Sequence, residues 1–185
     1  MNRRTLLTLL AGAPLAACGH VPALPPGFSD GTDGPYTLSA GDRLRIIVFG
    51  QDNLSNSYAV DGAGRISLPL IGLVQAGGLT TTQLERSIEG KLRNGFLREP
   101  RVAVEVEQYR PFFVLGEVTT SGQFPFVNGM TVQNAVAIAG GFTPRAERDV
   151  ATVTRVVRGQ LMSATVPITY PVRPGDTITI RERWF

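Results

Sequence analysis

Few side chains in this 185-residue chain could take part in bond chemistry. His20 is the only histidine and Cys18 the only cysteine. That excludes His/Cys zinc clusters, and a Ser-His-Asp triad would have to use His20, which stands isolated near the N-terminus. No Gly-x-x-x-x-Gly-Lys phosphate cradle and no dinucleotide-binding fingerprint occurs. Carboxylates remain, because two of them facing one cleft could act as acid and base in glycoside hydrolysis. Asp42, Asp61 and Asp176 are the candidates, each beside a glycine in a turn near a strand end. An Asp so placed ordinarily accepts hydrogen bonds from its own backbone, and that reading is preferred to catalysis. Phe112, Phe113, Phe124 and Phe126 could stack on sugar rings, although such a cluster is more often core. Arg98, Arg101 and Arg110 read as solvated faces. No catalytic, metal-binding or cofactor-binding residue is assigned, and the chain reads as a non-enzyme.

Cys18 has a different chemistry. Arg3 and Arg4 precede an apolar run from Leu6 to Ala17 that closes on small residues, the layout of a secretory signal peptide. The run is shorter than the ~20 residues a permanent membrane helix needs. Arg3-Arg4 reads as an ordinary charged leader, with only a faint likeness to a twin-arginine signal. Leu15-Ala16-Ala17-Cys18 resembles the lipobox of bacterial lipoproteins, in which the Cys sulfur receives a diacylglyceryl group and becomes the new N-terminus. Residues 1–17 are thus expected to be a signal peptide and Cys18 the lipidation site. Gly19 stands where an Asp would favour retention at the inner membrane, so the outer membrane, on its periplasmic face, is the expected location.

Composition sets further bounds. Hydrophobic residues make up 43% and charged residues 18% of the chain, which suits a folded protein. Loss of Arg3 and Arg4 from the 18 basic residues leaves 16 against 15 acidic, so the formal charge of +3 overstates the basicity of the processed chain. A nucleic-acid partner, which calls for a basic domain, is not expected. Residues 18–35 are rich in Pro, Gly, Ser and Asp without hydrophobic period and read as a flexible tether carrying the isolated His20.

Behind the candidate residues lie short elements. Leu44 to Phe49 is an apolar, β-branched run expected as a buried strand. Tyr58-Ala59-Val60 and Arg65-Ile66-Ser67-Leu68 flank Asp61-Gly62-Ala63-Gly64 and predict a hairpin. Thr82 to Glu85 fits a capping box, followed at helical spacing by Leu84, Ile88 and Leu92, with Glu89 and Arg93 as an exposed pair. Val102, Val104 and Val106 alternate with polar neighbours in a strand buried on one face. Beyond Tyr109-Arg110-Pro111, strands are expected at 112–118, at 123–127 (an edge, because of Pro125), and at 150–157, 161–166 and 177–180. Thr131 is placed to cap a short helix bearing Val132, Ala135, Val136 and Ala139, with Met130 stapled against Ala135. A helix enclosed by strands gives an α+β pattern of β-grasp type.

These phrases resemble a known family. Tyr36 to Ile46 (YTLSAGDRLRI), Tyr58 through Gly72, and Pro100 to Val106 (PRVAVEV) are similar to the polysaccharide export (PES) domain of the outer-membrane polysaccharide export (OPX) family. Val114-Leu115-Gly116-Glu117-Val118, Ala139-Gly140-Gly141-Phe142-Thr143, Pro174-Gly175-Asp176-Thr177-Ile178 and the closing Arg181 to Phe185 resemble a soluble-ligand-binding β-grasp (SLBB) domain. The resemblance implies a small mixed PES domain at 36–108 and an SLBB domain at 109–185. It implies no cofactor and no enzymatic activity. The implied assembly is a homo-oligomeric periplasmic ring, an octamer by family likeness, lipid-anchored to the outer membrane. The ring would dock on an inner-membrane polysaccharide co-polymerase and pass exopolysaccharide or capsule polymer outward. The sequence ends five residues after Ile180, like short family members without the C-terminal pore helix, so another protein is expected to supply the outer-membrane passage. Trp184 and Phe185 are expected to pack on the domain core or on a neighbouring subunit, with the core preferred. The alternative is a lipid-anchored periplasmic glycan-binding module that forms no conduit.

Overall fold

A computed structural model of the chain describes Leu24, Phe28, residues 34–157 and residues 159–184. Cys18 and His20 lie outside the described residues, as does the whole signal segment. The chain is α+β, with two α-helices among many short strands in the described residues. No helix among the described residues is long and apolar enough to cross a membrane.

Two hydrophobic cores form. In the first, β1 (Arg43–Val48) pairs antiparallel with β2 (Asn56–Ala59) on one side and β5 (Val102–Gln108) on the other. Helix α1 (Thr81–Arg93) sets Leu84, Ile88 and Leu92 into this core beside Leu44, Ile46 and Val104. The hairpin expected around Asp61 does not form between β2 and the next strand. Instead β3 (Arg65–Leu68) pairs with β4 (Gly72–Gln75), and β2 stays with β1. The Asp61 carboxylate accepts from the N–H groups of Ala63 and Arg65, which closes the loop locally and lets the strands part.

The helix cap also falls earlier than expected. Thr80 Oγ1 accepts from Gln83 N at 3.2 Å while Gln83 Oε1 accepts from Thr80 N at 2.9 Å, so the helix begins at Thr81 and not after Thr82. That frees Glu85 for another task. Glu85 Oε1 accepts from Val104 N at 2.9 Å and Glu89 Oε1 from Val102 N at 3.0 Å. Two carboxylates one helical turn apart thus cover alternate N–H groups on the open edge of β5, where Glu89 was expected to pair with Arg93.

The second core belongs to a five-stranded sheet in the order β7-β6-β10-β8-β9, comprising β6 (Phe112–Gly116), β7 (Gly122–Phe124), β8 (Val150–Val157), β9 (Gln160–Pro167) and β10 (Thr177–Ile180). The last strand enters the middle, parallel to β6 and antiparallel to β8. Helix α2 (Val132–Ile138) is capped by Thr131 as expected, with Asn134 completing the capping box. Its Val132, Ala135 and Val136 share the core with Met130, Val114, Val153, Val166 and Ile178. β7 is an edge strand that stops before Pro125. Two residues depart from expectation: Phe28, within the stretch read as tether, is buried in this core, while Trp184, for which packing on the core was preferred, is 96% exposed; Phe185 lies outside the described residues.

The carboxylate cover on β5 is testable. Hydrogen bonds to charged groups contribute about 1.5–3 kcal/mol each, so Glu85→Ala and Glu89→Ala should each lower the urea unfolding free energy by that order. Arg93→Ala should leave it within about 0.5 kcal/mol of the parent.

Candidate functional site

The two units meet through a pair of matching turns. Ser39-Ala40-Gly41-Asp42 leads into β1, and Arg173-Pro174-Gly175-Asp176 leads into β10. Asp42 N donates to Ser39 O and Asp176 N to Arg173 O, both at 3.1 Å. In return the carboxylates accept from Ser39 N at 2.8 Å and Arg173 N at 2.7 Å. Asp42 and Asp176 are both buried. Each turn has glycine in the left-handed region before the Asp, Gly41 at φ 92° and Gly175 at φ 84°.

Arg110, from the linker between the units, runs between the two turns. Its backbone N donates to Asp42 Oδ1 at 2.8 Å and its Nε to Pro174 O at 2.9 Å. Gly175 N donates to Pro111 O at 3.0 Å. A Cβ on Gly175 would lie 2.4 Å from Arg110 Nε, and one on Gly41 would touch Arg110 Cβ at 3.4 Å. The glycines are therefore needed for space as well as for conformation. Tyr36 completes the first turn, its hydroxyl donating to Asp42 Oδ2 at 2.7 Å. Burial first, and then the hydrogen bond and charge of Asp42, push the Tyr36 phenol far above its ordinary value, so it stays protonated.

The second turn holds an ion pair. Arg155 on β8 donates Nε to Asp176 Oδ1 at 2.8 Å and Nη2 to Oδ2 at 2.7 Å, with both side chains almost wholly buried. Burial works against the Arg155 charge, and the hydrogen bonds and charge of Asp176 outweigh it, so its pKa is raised. Phe28 and Tyr170 stack at 6.1 Å between centroids, and Arg155 Cζ lies 5.1 Å from the Phe28 ring and 5.8 Å from that of Tyr170. Burying a Phe side chain contributes about 1.5–3 kcal/mol, enough to hold this N-terminal residue on the second unit.

A cleft of about 1140 Å³ opens along the joint, lined by Tyr36, Tyr109, Phe126, Asn128 and Arg173 among others. Tyr36 meets Tyr109 edge-on at 5.0 Å, and Tyr109 meets Phe126 at 5.5 Å. Of the three carboxylates singled out from sequence, Asp42 and Asp176 come to the joint and Asp61 lies on an exposed loop. Asp42 and Asp176 are occupied by N–H donors and a guanidinium, and Asp61 by its own loop. The four phenylalanines do not form one platform. Phe112 and Phe124 pair at 6.0 Å on the core side, Phe126 joins Tyr109, and Phe113 faces outward. No cluster of His, Cys, Asp or Glu suited to a metal occurs among the described residues. Arg110, read as a solvated face, is the joint itself. Arg155 and Phe28 were not singled out, and Tyr36 only as the start of the first unit. A comparison of Gly41-Asp42 with Gly175-Asp176 in the sequence would have pointed to the joint.

This geometry defines a two-domain scaffold, an α+β unit locked to a β-grasp unit, with its buried charges used for structure. The family described as "Polysaccharide biosynthesis/export protein" matches residues 30–107, and the SLBB domain matches residues 111–166. The chain belongs to the polysaccharide export family, an export domain followed by an SLBB domain. It is 36% identical over 118 residues to the exopolysaccharide production protein ExoF of Rhizobium meliloti (strain 1021), covering 57% of this chain and 28% of that protein. It is 27% identical over 120 residues to the polysialic acid transport protein KpsD of Escherichia coli, covering 64% and 22%. It is 27% identical over 158 residues to the EPS I polysaccharide export outer membrane protein EpsA of Ralstonia nicotianae, covering 80% and 41%. The chain thus spans less than half the length of each of these relatives.

Two outcomes follow from the joint. Asp176→Ala strands a buried guanidinium and should cost about 3–5 kcal/mol in urea unfolding. Tyr36 keeps its proton when folded, whereas the unfolded phenol ionises near pH 10. Its contribution is complete below that pH and declines above it. The parent should therefore lose stability above about pH 10 more steeply than Tyr36→Phe, as read by unfolding curves at stepped pH.

Proposed function

We propose that the chain is a lipid-anchored periplasmic component of an exopolysaccharide or capsule export conduit. In this reading residues 1–17 are a signal peptide and Cys18 carries the lipid. Residues 36–108 and 109–185 are the export and SLBB domains of one subunit in a ring at the outer membrane. The ring receives polymer from an inner-membrane co-polymerase and delivers it outward. The observation that carries this is the ordered match of export and SLBB domains across residues 30–166. The relatives' names support it, since they speak of exopolysaccharide production, polysialic acid transport and EPS export. A conduit also favours a rigid subunit, which the Arg110 joint supplies.

A monomeric glycan-binding module is the second reading, favoured by the aromatic-lined cleft at the joint. The oligomeric state of the lipidated protein in detergent separates the two, since capture of a soluble glycan needs no ring.

Deletion of the gene should lower surface polymer while polymer synthesis in cell extracts persists; undiminished surface polymer in a strain without a duplicate gene would overturn the export reading. Burial of acyl chains contributes about 0.8 kcal/mol per CH₂, so the lipidated form should stay with membranes through a salt wash. Cys18→Ser should remain unprocessed or become soluble. Incorporation of labelled fatty acid that persists in Cys18→Ser would refute the anchor.

A further inference from the structure

The outward face of the five-stranded sheet is unlike an ordinary protein surface. Strand registers set Phe113, Thr177, Thr154 and Ser163 in one row across four strands, and Leu115, Thr179, Thr152 and Thr165 in the next. The residues that alternate with them, among them Val114, Ile178 and Val153, are buried in the core, so these rows point away from it, although the Thr152 hydroxyl is itself buried. Thr154 and Ser163 touch through their hydroxyls at 2.7 Å. A third row holds Val156 and Leu161, exposed by 64% and 74%. None of these outward positions carries a charge, and β9, an edge strand, has none from Gln160 to Pro167. Exposed surfaces are ordinarily a quarter or more Lys, Arg, Glu and Asp, and exposed edges are ordinarily guarded by charge.

We propose that this face is where the chain meets the exported polymer: a polyhydroxylated carbohydrate chain lies across the Thr/Ser rows. The proposal rests on the export reading and assigns its contact surface. Threonine and serine hydroxyls both donate and accept, as sugar hydroxyls do. Adjacent strands place them about 4.8 Å apart and alternate residues about 6.6–6.8 Å apart, a lattice on the scale of a sugar ring. Each such bond replaces one to water with little net gain, so contacts form and break singly and the polymer is not held. The absence of charge prevents an acidic sugar from being pinned and any sugar from being repelled.

The distribution of residues decides between a glycan and a second protein. A protein interface has aromatic and aliphatic anchors at its centre and polar groups at its rim. Here the order is inverted. Hydroxyls occupy the centre, Phe113 and Leu115 lie along one margin, and Val156 and Leu161 lie along another.

The test uses the complete chain in the strain that encodes it, with Thr154→Lys, Thr154→Glu and Thr154→Ser expressed at equal level in the gene deletion. Both charged variants should lower surface polymer by about tenfold, the change that accompanies a 1.4 kcal/mol loss, while Thr154→Ser restores it. In parallel, the purified chain labelled at threonine methyl groups is titrated with polysaccharide purified from that strain's medium. Shifts are expected at Thr154, Thr165, Thr177 and Thr179, absent at Thr80 and Thr131, and lost in Thr154→Glu. Three results would overturn the assignment: normal export by both charged variants where the deletion abolishes export, methyl shifts confined to Thr37 in the cleft, or loss of solvent contact at the face on raising protein concentration alone, which would make it an interface between copies. If the deletion strain itself exports normally, the export reading fails, and the titration then decides whether the face binds glycan independently of it.

Discussion

The arrangement of the molecule depends on Arg110. Two units with separate cores would ordinarily swing about a three-residue linker, yet this linker is gripped from both sides. Its backbone is bonded to a buried carboxylate of the first unit and its guanidinium to a carbonyl of the second. What lets the side chain pass is the missing Cβ at Gly175. The same local motif, a left-handed glycine followed by an aspartate that folds back on its own turn, thus does two jobs. It starts the central strand of each sheet, and it makes room for the residue that joins them.

The buried charges fit this frame. Removing Asp and Arg side chains from water is costly, and a buried pair seldom adds net stability over well-packed apolar residues. Asp176 and Arg155 nevertheless fix a geometry that apolar residues would leave loose: bidentate bonds set β8 against the turn before β10, and Phe28 and Tyr170 lie over the guanidinium. Asp42 does the equivalent in the first unit with Tyr36 and Arg110, without a guanidinium on its carboxylate. The first unit adds the carboxylates of α1 on the open edge of β5.

Much of the fold was legible because it rests on local patterns. Alternation marked β5, the Thr131 cap marked α2, and Pro125 marked an edge. The errors share a cause, which is competition between neighbours that local pattern cannot rank. Three consecutive threonines at 80–82 offered three caps, and Gln83 decided for Thr80. The Asp61 turn suited a hairpin, but β1 and β4 were better partners for the strands on either side. The joint was less legible still. Arg110 and Arg155 look like any surface arginines in sequence, because their partners lie 64 and 21 residues away. Phe28 was hidden by its surroundings, an aromatic in a stretch whose composition otherwise speaks for no structure.

The central position of β10 has a consequence for how the chain is made. Proteins emerge from the N-terminal end, and domains ordinarily fold in the order they appear. The first unit can close as soon as residue 108 is free, since β5 is its last strand. The second cannot. Until residues 177–180 arrive, β6 and β8 each lack the neighbour on one side, Asp176 has not reached Arg155, and Arg110 has no carbonyl to grip. The half-made unit therefore presents two raw strand edges for nearly its whole emergence, which is the condition under which chains cross-pair.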